Sequence, residues 1–195
     1  AQRGVDGLEP GISEGDGDCD GLGDYAQGGS ECVLQRLTVH KRGPQAATIQ
    51  LLPQLWSRNT WSWKADAAKP NLRAVAHNVV TAEVPELGEF QLHCDGQPEL
   101  LFCDNETNPR RFFGMTAAVG HFKDAMTAAV GHVKDAFDDY IVHGNQSAVN
   151  PNRGGTKSGA PYQSEIPAGG THSVGVRPAG EHGRRAASRS GRTEA

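Results

Sequence analysis

The chain has 195 residues, 36% of them hydrophobic, with 25 glycines and a formal net charge of −4. That length suits one ordinary domain with appendages, and the acidic balance argues against a general nucleic-acid binder, which carries a basic surface. No apolar run approaches the ~18–20 residues needed to span a bilayer, so no membrane association is expected.

Residues 1–30 are rich in glycine and acidic side chains (Glu9, Glu14, Asp16, Asp18, Asp20, Asp24) and hold little that could form a core. Composition predicts a flexible segment there, because too little apolar surface is available to offset the ordering entropy. Within it, Asp16, Asp18, Asp20 and Asp24 with Gly21 fit positions 1, 3, 5, 9 and 6 of an EF-hand-type calcium loop. Gln27 stands where the bidentate glutamate belongs, Gly23 where an apolar anchor belongs, and no helical pattern flanks the segment. A solvated acidic linker is the competing reading.

From Cys32 the pattern turns to short β-like runs. Val33, Leu34, Leu37 and Val39 form one, closed by the turn residues Gly43 and Pro44. Ile49, Leu51, Leu52 and Leu55 follow, interrupted by Pro53, which marks an edge or a bulge. Leu55–Trp63 then carries all 3 tryptophans of the protein, together with Arg58 and Asn59. A large ring with an N–H that needs a partner belongs either to a packed seam or to a platform for something planar or sugar-like. In an extended backbone Trp61 and Trp63 would share one face, with Ser62 on the other. Residues 72–84 read as a β-branched segment. Phe90–Cys94 and Leu100–Cys103 around Asp95-Gly96 predict a hairpin, as do residues 161–166 and 172–177 around Pro167–Gly170. Strands at this spacing with Gly/Pro turns predict an antiparallel sandwich over residues 31–177.

Residues 115–136 depart from that pattern. Met115–Ala125 is repeated at once as Met126–Ala136, with Val133 in place of Phe122 the only change. Eleven residues make about three helical turns, so both copies would present the same face of a short helical or irregular excursion at 115–140. His121 and His132 would lie ~16 Å apart along such a helix and share no metal ion. Residues 178–195 lack large apolar side chains and carry Arg184, Arg185, Arg189 and Arg192, which predicts a disordered basic tail.

The 4 cysteines (Cys19, Cys32, Cys94, Cys103) show no C-x-x-C spacing and are expected as reduced thiols. No signal-peptide layout opens the sequence, and a cytoplasmic location is expected. No G-x-S-x-G, H-E-x-x-H or P-loop pattern occurs, and no cofactor is implied. Glu83, Glu86, Asp104, Glu106, Asp135, Asp138 and Asp139 could supply the two carboxylates, ~5–10 Å apart, that glycosidases use, though spacing alone selects no pair.

Leu37–Pro44, Leu51–Trp63, Cys103–Asn108, Lys134–Gly144 and Val149–Lys157, in this order, resemble the non-catalytic β-sandwich domain of bacterial glucosidase-like proteins of glycoside hydrolase family 63. The resemblance covers about residues 24–177. In that family an α/α toroid beyond the sandwich carries the catalytic carboxylates, so the resemblance implies an accessory domain with no catalytic residue of its own. Trp56, Arg58, Asn59, Trp61 and Trp63 then become a surface for a catalytic barrel domain, for self-association, or for carbohydrate.

Overall fold

A computed structural model describes residues 19–63, 66–85, 87–108 and 132–180. Among them the backbone is mainly β. The strands are β1 (Cys19–Gly29), β2 (Cys32–Lys41), β3 (Ala47–Leu51), β4 (Gln54–Trp56), β5 (Asn71–Ala76), β6 (Val79–Val84) and β7 (Gly88–Cys94). They continue as β8 (Leu101–Cys103), β9 (Gly154–Gly155), β10 (Lys157–Gly159), β11 (Tyr162–Ile166) and β12 (Thr171–Gly180). A short helix, α1 (Ala136–Ile141), lies between β8 and β9. The repeat outside residues 132–136 and the tail beyond 180 lie outside the described residues.

Every pairing is antiparallel, as the sequence predicts. A seven-stranded sheet runs β1-β2-β12-β7-β6-β5-β9. The second layer holds β4-β10-β8 and the pair β11-β3. These two sets share one register: Trp56 faces Lys157, Gln54 faces Gly159, Leu51 faces Tyr162 and Ala47 faces Ile166. Between them the Ala160 N–H donates to the Pro53 carbonyl at 3.0 Å. The second layer is therefore one ladder, interrupted where Pro53 and Pro161 have no N–H to give.

The core follows from side-chain alternation. Leu72, Val80, Ala82, Leu92, Cys94 and Val176 point from the large sheet onto Phe102, Leu100 and Ala160 of the second layer. The other face of β8 presents Leu101 and Cys103 to Ala136 and Phe137 of α1. β8 is thus buried on both sides, which is why Leu100-Leu101-Phe102-Cys103 reads as an unbroken apolar run. Each fully buried large side chain there contributes about 1.5–3 kcal/mol of transfer free energy. The chain changes layers after β9, and Gly155 permits it: a Cβ there would overlap the Cys103 carbonyl oxygen.

Several local expectations change. β7 pairs with β6 and β12 while β8 pairs with β10, so Asp95-Gly96 carries the chain between layers and closes no hairpin. β11 and β12 likewise belong to different sheets across Pro167–Gly170. Residues 72–84 instead fold as the hairpin β5–β6 around His77-Asn78, where Asn78 Nδ2 donates to the Cys94 carbonyl at 2.9 Å. The boundaries move too. Cys19–Gly29, grouped on composition with the flexible end, pairs with β2 along its length, and Pro178–Gly180 belongs to β12. A ladder needs backbone partners more than apolar side chains, and β2 supplies them.

Candidate functional site

The tryptophan segment leaves β4 at the edge of the second layer and folds into a 3-10 turn, Trp61–Trp63. Asn59 holds that turn: its Oδ1 accepts from the Ser62 N–H at 3.2 Å, an N-cap-like bond. Its Nδ2 donates to the Asn105 carbonyl at 2.9 Å, and Asn105 Nδ2 donates back to the Ser57 carbonyl at 3.0 Å. Asn105 is fixed in turn by its N–H, which donates to Thr156 Oγ1 at 2.7 Å.

This turn separates the rings that strand alternation would have placed together. Trp61 is 6% exposed and donates its indole N–H to Glu106 at 3.3 Å, a carboxylate that also takes Lys69 at 2.8 Å. Trp63 is 66% exposed and Trp56 55%. The expectation that Trp61 and Trp63 share a face is corrected: the turn rotates one ring inward as an anchor and the other outward.

Trp56 and Trp63 border an open cleft of about 550 Å³. Amides come from Gln54, Asn59 and Asn105, hydroxyls from Ser62 and Thr107, and ammonium groups from Lys134 and Lys157. No carboxylate is among those lining residues. The Arg58 guanidinium lies 5.3 Å from the Trp63 ring centroid and is not part of the cleft wall, so it covers one face of a ring that has two. Lys157, opposite Trp56 across the ladder, lies over the Phe137 ring at 5.2 Å. Burial holds its ammonium below the ordinary lysine range, and the nearby charge of Lys134 pushes the same way.

Among the described residues, none of the other candidates lines this cleft. Asp16 and Asp18 lie outside the described residues. Asp20 and Asp24 sit on extended β1, with Asp20 bound to Arg42 at 2.7 Å and Asp24 opposite Arg36. Gly21 pairs with Val39 in the ladder, so the described half of the calcium-loop candidate lacks the turn such a loop requires. His121 lies outside the described residues, and His132 Nδ1 donates to the Ala148 carbonyl at 2.7 Å.

The carboxylates are spoken for in the same way. Glu83 takes Arg73 at 2.6 Å, Asp104 accepts from the Thr156 N–H and Asp135 from Asn108, while Glu86 is not among the described residues. Sequence reasoning did not join His143 to Asp138 and Asp139, whose ligand atoms all fall within 4.8 Å of one another. That group lies at the exposed end of α1, where the i, i+4 spacing of Asp139 and His143 was the available signal. A larger cleft of about 730 Å³ borders Tyr25, Arg36, His93, Asp95 and Arg177, with charges of both signs.

No family model matches the chain. An uncharacterized protein of Saccharomyces cerevisiae, YMR196W, is 31% identical over 162 residues. That match covers 69% of this chain and 14% of the yeast protein. The chain therefore corresponds to a small part of a much longer relative. Among the described residues no helix is long and apolar enough to cross a membrane.

Proposed function

We propose that this chain is a non-catalytic accessory β-sandwich domain of a glycoside hydrolase-like protein, related to the sandwich of family 63 glucosidases. Its contact surface is the cleft between Trp56 and Trp63. One observation carries the reading. The segment buries Trp61 and clamps its backbone with two asparagines, yet leaves two indole rings in solvent. Exposed rings on a fixed frame are a contact surface, since aromatic side chains concentrate binding energy where they pack against a partner. The antiparallel sandwich agrees with what the family resemblance implies, and a match to 14% of a longer relative fits an accessory segment.

Two occupants follow from this reading. A catalytic α/α toroid would cover the rings as an interdomain seam. A carbohydrate would stack its C–H face on them, and the amide and hydroxyl lining favours this second occupant. A residual glycosidase is the least supported, because no carboxylate lines the cleft.

Two titrations of the full chain, followed by tryptophan emission, test the proposal: one with neutral gluco-oligosaccharides, one with a separately expressed family 63 toroid. A saturable response to either, abolished in Trp63→Ala, supports a contact surface and identifies its occupant. Silence in both, or a response unaltered in Trp63→Ala, refutes it.

A further inference from the structure

The cleft holds two cations of like sign beside its rings. Lys157 extends from β10 as the cross-strand neighbour of Trp56, and Lys134 lies just before α1. Among the described residues neither lysine forms an ion pair. Nearby carboxylates are committed elsewhere: Glu106 to Lys69 and Trp61, Asp104 to the Thr156 N–H, Asp135 to Asn108. Two like charges near one another, one of them half-buried, repel more strongly than they would in open water. An anion placed between them removes that repulsion and gains charge-assisted hydrogen bonds.

The rest of the cleft narrows what the anion is attached to. Trp56 and Trp63 offer flat apolar faces, and Gln54, Ser62 and Thr107 offer the mixed donors and acceptors that sugar hydroxyls require. A bare inorganic anion would leave the rings unused, and a neutral sugar would leave Lys134 without a counter-charge and Lys157 with only the Phe137 ring. We propose that the cleft binds an acidic carbohydrate, a pyranose stacked on an indole ring with its anionic substituent between Lys134 and Lys157. This inference rests on the carbohydrate reading of the same surface.

The test is a tryptophan-fluorescence titration of the full chain with a glucuronate-containing oligosaccharide, its carboxyl-reduced neutral counterpart, a sulfated oligosaccharide and poly-glutamate. The expected result is saturable binding of the glucuronate sugar, about tenfold tighter than its neutral counterpart and weakened by added salt. Lys134→Gln, at an exposed position, should remove that preference while leaving the circular dichroism unchanged. Binding of the sulfated sugar as well would support the inference and show that the substituent's charge, not its carboxylate geometry, is recognised. Equal affinity for acidic and neutral sugars would overturn the inference yet leave the carbohydrate reading standing. No binding of any sugar would overturn both. Poly-glutamate binding as tightly as the acidic sugar, or a preference that survives Lys134→Gln, would also overturn the inference.

Discussion

Leu55 and Trp56 are adjacent in β4 but face opposite regions of the protein. Leu55 packs against the inter-sheet core, where Phe102 and Leu72 are each 1% exposed. Trp56 points to the cleft and remains 55% exposed. The core is apolar and closed, whereas the cleft combines rings, amides and two ammonium groups and stays open. Burial alone would have drawn in all three indoles, and the same segment shows that it can do so, because Trp61 is 6% exposed. The difference teaches that hydrophobicity builds the sandwich, while local turn geometry decides which aromatic side chains stay exposed.

Changes in the core should break the fold first. Phe102→Ala removes a ring packed between the two layers and should cost about 3–5 kcal/mol in urea unfolding. Trp61→Ala should cost about 3 kcal/mol, since it removes a buried ring and leaves Glu106 with one partner fewer. It should also loosen the frame that presents Trp63, which hydrogen exchange at Ser62 and Trp63 would report.

Alkaline pH should sharpen the same contrast. Burial pushes the Cys94 thiol from 9.0 up to about 11 and the Cys103 thiol up to about 12. An acid whose folded pKa is raised keeps its stabilising contribution below the unfolded pKa and loses it as pH climbs towards the folded one. The unfolding free energy should therefore fall by roughly 1.4 kcal/mol per pH unit for each thiol, from pH 9 to about 11 for Cys94 and from pH 9 to about 12 for Cys103. Lys157, a base held below 10.5, acts in the opposite sense: stability rises with pH in the window below 10.5, where the unfolded chain holds the extra proton. A Lys157→Gln variant should therefore show a steeper alkaline decline than the parent protein. In thiol titration of the native protein, half-exposed Cys19 should react before buried Cys32, Cys94 and Cys103.

The class of the fold was legible in the sequence, because β-branched runs, Gly/Pro turns and the unbroken apolar run at Leu100–Cys103 report strand burial directly. The pairing of strands was less so. Asp95-Gly96 has the chemistry of a hairpin turn, but Leu92 and Phe102 are both needed on facing inner surfaces, and the chain crosses between layers to place them there. The length of β1 was hidden because glycines and acidic residues hold a ladder through backbone bonds that composition does not register. The tryptophan segment stood out in the sequence, but the arrangement of its rings did not, because the 3-10 turn depends on Asn59 reaching the Asn105 carbonyl across a sequence separation of 46 residues. Lys134 and Lys157 carried no signal of their own. They join the cleft only because β10 pairs with β4 and because α1 packs on β8.

The smallest expected effect is the most telling. Urea unfolding of the double variant Trp56→Ala with Trp63→Ala measures whether the exposed rings support the fold or are held out for contact. If they are a contact surface, the unfolding free energy should lie within about 1 kcal/mol of the parent protein, as for other exposed substitutions. A loss of about 3 kcal/mol or more would place both rings in the structural core and contradict the account.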